Sequence, residues 1–167
     1  MAAAAALVSV AEYLNSTYRP DCDYVDGEVL ERNLGERDHS TAQREILYYL
    51  AGVYPGLRKR LLPEQRVQVT ATRFRIPDVC LLRADAPYES VIRHAPELCI
   101  EVLSKDDTMK ELMERIRDYF EMGVPVCWLI DPRQRRGWIA TPSGVRDAVD
   151  GVLRAPGIEM PVAAVVD

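Results

Sequence analysis

The sequence has two histidines, and its four cysteines (Cys22, Cys80, Cys99 and Cys127) show no C-x-x-C spacing, so a structural zinc site in its usual form is not expected. Positive charge is not in excess: 21 Lys+Arg against 26 Asp+Glu give a net charge of −5, which argues against a general nucleic-acid coat. No apolar run is long enough to span a bilayer. The alanine-rich Met1–Val10 is short and lacks a basic flank, so neither a membrane helix nor a secretory leader is expected, and a soluble cytoplasmic protein fits. Internal repeats, low-complexity linkers and a second-domain boundary are missing too. The 167 residues therefore read as one domain with room for a real core.

The charge that is present is unevenly placed. Residues 57–75 hold Arg58, Lys59, Arg60, Arg66, Arg73 and Arg75 against the single acid Glu64, whereas 21–31 hold Asp21, Asp23, Asp26, Glu28 and Glu31 with no base. A local basic groove stays compatible with the acidic total, because steering depends on where charge sits. Cys80, Cys99 and Cys127 stand inside apolar runs, where a reduced, buried small side chain is expected.

Ser9-x-x-Glu12 is a capping-box pattern that starts a short helix through Leu14. Asp26-Gly27, between Asp23-Tyr24-Val25 and Glu28-Val29-Leu30-Glu31, predicts a hairpin. A helix beginning around Asp38 or Ser40 runs to about Ala51 on the apolar stripe Ile46, Leu47 and Leu50, and His39 and Gln43 continue that face toward its start. The commoner reading of such a pair is a fraying surface turn; the alternative is two side chains facing a cleft. Alternation over Glu64–Thr70 predicts a strand solvated on one face. A turn at Thr72 or Arg73 then leads into a strand over Ile76–Leu82, with Pro77 at an edge or at the strand's beginning. Arg83–Pro96 reads as an exposed loop. Beyond Arg133–Gly137, a tight turn, Gly144, Gly151 and Gly157 separate short strands.

The most informative stretch is Pro96–Asp131. Leu98-Cys99-Ile100-Glu101-Val102-Leu103 is an apolar run with a carboxylate inside it, and Val126-Cys127-Trp128-Leu129-Ile130 is a second apolar strand. Between them an amphipathic helix from about Asp107 to Met122, ended by Gly123, carries Met109, Leu112, Met113, Ile116, Tyr119 and Phe120 on its buried stripe. Asp106 and Asp107 suit its N-terminus, and Thr108, Glu111 and Arg115 lie along one edge. Strand, helix and strand make a parallel βαβ unit. Upstream, Asp78 interrupts another apolar run. An ionised carboxylate is costly to bury without a partner or a metal, and two of them on neighbouring strands suit a hard divalent cation. Asp78 and Glu101 are therefore the leading candidates. Glu28, Glu31 and Glu64 read as strand-surface charges, and the arginines at 58–60 and 133–136 as solvated turns.

Pro77-Asp78 followed by Glu101 resembles the PD-(D/E)xK phosphodiesterase superfamily. The wider ordered set is more specific: Asp26-Gly27-Glu28, His39-x-x-x-Gln43, Arg75-Ile76-Pro77-Asp78-Val79, Glu101-Val102-Leu103-Ser104, Tyr119-x-x-x-Gly123-Val124 and Trp128-Leu129-Ile130-Asp131-Pro132. Over roughly residues 10–165 it is similar to the Uma-type restriction endonuclease family. The resemblance implies an α/β restriction-endonuclease-like core, with a four- or five-stranded mixed sheet flanked by helices. It also implies a Mg2+- or Mn2+-dependent endonuclease acting on DNA. Many such nucleases cut both strands as dimers, so a homodimer belongs to the same expectation.

In that frame Asp78, Glu101 and the Val102 carbonyl would be metal ligands. The superfamily's lysine position is Leu103 here, and the Uma-type lysine position matches Arg115, with Lys105 and Lys110 as other cations near the helix start. His39, Gln43 and Lys105 would line the substrate cleft. An arginine keeps the charge and can grip a phosphate, but it cannot lose its proton to act as a base. The alternatives from other classes are a weakened module that binds nucleic acid or a protein partner without cleaving it, and a metal-binding structural domain.

Overall fold

The computed structural model describes residues 6–167, so the first half of the alanine-rich Met1–Val10 stretch lies outside the described residues. The chain opens with α1 (Val10–Asn15), whose N-cap Ser9 accepts a hydrogen bond from the Glu12 amide as the capping pattern predicts. The strands β1 (Cys22–Val25) and β2 (Glu28–Glu31) then pair antiparallel about Asp26 and Gly27, both with positive φ. That geometry is the type I′ turn an Asp-Gly pair favours.

Next comes α2 (Arg37–Val53), followed by β3 (Leu61–Pro63), β4 (Val67–Thr70), β5 (Arg73–Arg75) and β6 (Val79–Leu81). The expected single strand over Ile76–Leu82 is shorter than its pattern suggested. Arg73–Arg75 belongs to a small sheet ordered β2-β1-β5-β4, whereas Val79–Leu81 belongs to the central one. Pro77 has no N–H for a ladder and falls at the switch between the two sheets, two residues before β6.

The central sheet is built from β7 (Leu98–Val102), β8 (Cys127–Asp131), β9 (Arg136–Thr141) and β10 (Gly144–Asp147) together with β6 and β3. Its order is β10-β9-β8-β7-β6-β3. With six strands it is wider than the expected four or five, because β3 and β10 extend its two edges. β7 and β8 are parallel and joined by α3 (Met109–Met122), as the βαβ reading requires; every other pair in the sheet is antiparallel. A hairpin of β11 (Val152–Ala155) and β12 (Ile158–Pro161) completes the fold.

The sheet is covered on both faces, which is why β7 and β8 read as continuous apolar runs. One face packs Leu98, Ile100, Val102, Trp128 and Ile130 against Ala42, Ile46 and Leu50 of α2 and against the β11–β12 hairpin. The other packs Cys80, Cys99, Cys127 and Leu129 against Leu112, Ile116 and Tyr119 of α3. The three cysteines sit side by side across β6, β7 and β8, reduced and buried, and burial alone pushes the Cys80 thiol up to about 12. These small side chains leave room for α3 to lie close over the sheet.

The N-terminus of α3 differs from expectation. Thr108, not Asp106 or Asp107, is the N-cap, in a reciprocal capping box with Glu111. Asp107 turns back and accepts from the Ser104 amide and hydroxyl, bracing the β7–α3 turn. Met109 falls off the buried stripe and is exposed. Gly123 ends α3 in the left-handed region (φ 108°), a conformation glycine tolerates without a Cβ penalty.

Candidate active site

Cross-strand register brings the two acids together. Val79 pairs with Ile100 in the β6–β7 ladder, so Asp78 and Glu101 are the next pair along it, at the carboxyl end of β7. Glu101 shares a face with Cys99 and therefore points toward α3. Both carboxylates are 1% exposed. Two acids so placed have to be held by charges and donors from elsewhere, and each has its own set.

Asp78 Oδ2 accepts from the Val102 amide at 2.7 Å. Its Oδ1 accepts from Arg32 Nη2 at 2.8 Å, and His39 Nε2 lies 3.3 Å from the same oxygen. Gln43 Nε2 donates to the Asp78 carbonyl at 2.9 Å. His39 and Gln43 thus face the acid pair, the less common of the two readings of that helix start. Burial drives the Asp78 carboxyl up, but His39, Arg32 and the Val102 amide together leave it below its ordinary value. His39 moves the other way: burial works against its charged form, and the Asp78 carboxylate more than offsets that, so its pKa is raised.

Glu101 is held less completely. Its Oε1 accepts from the Tyr119 hydroxyl at 2.6 Å, and Arg115 Nη1 lies 3.3 Å from its Oε2. That ion-pair contact is not aligned as a hydrogen bond, and Oε2 is buried without a hydrogen-bond partner among the described residues. Burial is the largest influence on Glu101; Arg115 opposes it and Asp78 adds to it, and the carboxyl is pushed up to about 7. Arg115 also donates from Nη2 to Asp107 Oδ1 at 2.9 Å. The i,i+4 spacing of Glu111 and Arg115 is that of a helix-surface ion pair. Instead Glu111 is engaged in the capping box, and Arg115 turns inward.

Lys105 stands apart from the acids. It is half exposed and pairs with Glu36 at 2.5 Å. Behind the pair lies a buried network: Arg75 contacts Asp118 at 2.7 Å and Asp23 at 3.0 Å, and Arg73 bridges Asp118 and Asp26. The acidic 21–31 block and the arginines at 73 and 75 therefore neutralise one another through the β1–β5 pairing. These two arginines are not available to a basic groove. A small cleft of about 100 Å³ opens beside the acid pair between Leu30, Arg32, Asn33, Arg75 and Arg115.

Three participants were not foreseen as such. Tyr119 has no site role in the sequence reading, where it stands on the apolar stripe and in the Tyr119-x-x-x-Gly123-Val124 motif, although its spacing of four residues from Arg115 puts both on one helical face. Asp107 was read as a cap. Arg32, which follows a hairpin and belongs to no periodic pattern, carried no sequence signal at all.

The donor set can be tested against a metal. Among the described residues no cluster of three or more His, Cys, Asp or Glu side chains is placed to hold an ion, so a zinc or calcium cage does not fit. Two adjacent carboxylates, one with an unspent buried oxygen, do fit a magnesium-type ion, which keeps several waters and takes one or two carboxylates.

A family model described as "Uma2: Putative restriction endonuclease" matches residues 10–152. The chain belongs to the Uma2 family. Among solved structures it is similar to a putative nuclease belonging to DUF820 from Anabaena variabilis ATCC 29413. The TM-score is 0.78 at 19% identity, over 95% of this chain and 97% of that one. That likeness establishes the shared fold, the mixed α/β sheet flanked by helices. No curated protein matches the chain. No helix among the described residues is long and apolar enough to cross a membrane. Within the Uma2 frame, the matched segment includes every residue of the acid pair's surroundings described above.

Proposed function

We infer that this chain is a divalent-metal-dependent endonuclease that hydrolyses phosphodiester bonds of DNA at the Asp78–Glu101 pair. The observation that carries the reading is the pair itself: two wholly buried carboxylates, adjacent across two strands, with Glu101 Oε2 unspent. Asp78, Glu101 and the Val102 carbonyl would hold Mg2+ or Mn2+. When bound, such an ion supplies an acidified water and neutralises charge developing on phosphate.

The protein's own residues have separable tasks. Tyr119 fixes Glu101 through Oε1, leaving Oε2 toward the site. The Val102 amide, His39 and Gln43 fix Asp78 from three sides. Arg115 is placed to grip a phosphate oxygen; its guanidinium stays protonated, so it orients and stabilises but does not accept a proton. Cutting both strands would take two copies of the chain, a homodimer.

A specific observation favours a second reading. Arg32 and Arg115 already counterbalance both acids, and arginine replaces the family's lysine. On this reading the chain is a weakened module that binds nucleic acid, or a protein partner, without cutting. The test is incubation with supercoiled DNA, single-stranded DNA and RNA in Mg2+ or Mn2+, beside Asp78→Ala and Glu101→Ala. Cleavage lost in both variants is expected. Cleavage that survives both would remove the assigned site, whereas salt-sensitive binding without cleavage would select the second reading. Arg115→Lys should raise the rate if the arginine is the attenuating feature.

A further inference from the structure

Asp78 and Glu101 are both 1% exposed, and the segment between β2 and α2 brings Arg32 directly against Asp78. Residues 32–36 form an irregular strap. Leu34 is exposed, and Glu36, the N-cap of α2, makes no side-chain capping bond. Polar links, not packing, hold the strap down. Arg32 Nη2 reaches Asp78 Oδ1 at 2.8 Å, Asn33 Nδ2 donates to Asp107 Oδ1 at 3.2 Å, and Glu36 Oε1 meets Lys105 Nζ at 2.5 Å. The outer two are exposed links, a kind that contributes little to stability.

The two arginines are anchored differently. Arg115 is rooted in α3 and shared between Glu101 and Asp107. Arg32 rides on the strap and contacts one acid; its Nε, like that of Arg115, is buried with no acceptor among the described residues. Lifting it therefore sacrifices few bonds and releases a donor that the closed form leaves unsatisfied.

We propose that Arg32 is a tethered counter-ion that competes with a divalent cation for Asp78, so that the 32–36 strap must lift before the acid pair can be loaded. The inference rests on the reading of Asp78 and Glu101 as metal ligands. Its basis is Coulombic: a guanidinium 2.8 Å from Asp78 Oδ1 occupies the place where a cation on that oxygen would sit. Like charge there must leave or weaken binding. Once lifted, the same guanidinium is free to meet a backbone phosphate, for which its bidentate fork is suited.

The test is Mn2+ binding by calorimetry without nucleic acid, for the wild type, Arg32→Gln, Asn33→Ala and Asp78→Asn, with amide exchange of residues 32–36 followed in parallel. Arg32→Gln should bind Mn2+ about tenfold or more tightly than the wild type. Asn33→Ala, which removes a tie without changing charge, should also tighten binding, and Mn2+ should speed strap exchange in the wild type. If Arg32→Gln does not give a folded protein by circular dichroism, Asn33→Ala and the exchange data decide. Mn2+ binding that is lost in Asp78→Asn but equal in the other three, with strap exchange unmoved, overturns the inference and leaves the ligand reading standing. Absence of binding in every protein overturns both.

Discussion

Glu101→Gln should make this protein more stable at alkaline pH while removing its proposed activity. A carboxyl whose pKa is about 7 in the fold, against 4.5 ordinarily, keeps its proton longer folded than unfolded. The folded state therefore binds more protons between these values, and stability falls as pH rises through that window. From pH 5 to pH 8 the loss from this one group is about 2 to 3 kcal/mol. The side-chain amide that replaces the carboxyl would still accept from Tyr119, but it cannot ionise, so that part of the pH dependence disappears. Arg115 keeps Asp107 as a partner in the variant. The assay is urea unfolding of both proteins at pH 5 and pH 8. The quantity of interest is the difference between their two pH effects, because His39 adds a slope of the same sign: its raised pKa contributes stability at low pH that is lost on deprotonation. Asp78, held below its ordinary value, stays ionised across the range and drops out. Equal pH dependence in the two proteins would refute the claim that Glu101 is buried at an electrostatic cost.

Other substitutions test the surroundings. Tyr119→Phe removes the 2.6 Å bond to Glu101 Oε1 and should cost about 1 to 3 kcal/mol in denaturant unfolding, since it strands a buried acceptor. Arg75→Ala leaves Asp23 without its guanidinium and Asp118 with Arg73 alone, and should cost about 3 to 5 kcal/mol, seen as a large drop in melting temperature. Gly137→Ala would set a Cβ 2.7 Å from Val162 Cγ2 and 3.0 Å from Leu153 Cδ2, so a loss of about 1 to 3 kcal/mol is expected from overpacking. An unchanged melting temperature for that variant would mean that the β11–β12 hairpin shifts freely against β9.

Much of the fold was legible in the chain because local rules and tertiary demands agree. Asp26-Gly27 made its turn, Gly123 its helix end, and the uninterrupted apolar runs of β7 and β8 announced strands covered on both faces. The reading failed where two elements share one continuous pattern. Arg75–Leu82 is one apolar run interrupted only by Asp78 and suggests a single strand over Ile76–Leu82, yet Arg75 ends a strand of one sheet and Val79–Leu81 belongs to the other. It also failed at one edge, where the three-residue β3 is too short for periodicity to register.

For the site, the sequence by itself determined the identity of the two acids. An ionisable group inside an apolar strand is conspicuous whatever lies around it, because its burial demands a partner. What only the tertiary structure decided is the partnership. Arg32 on the strap and His39 on α2 meet at Asp78, while Arg115 and Tyr119, one turn apart on α3, meet at Glu101, and no spacing rule links these three places to one another or to the two acids. Two of the charges from each segregated block meet across β1 and β5, Asp23 with Arg75 and Asp26 with Arg73. The pair's unequal tuning follows from that three-dimensional placement. Asp78 receives three donors, while Glu101 keeps an oxygen with none among the described residues.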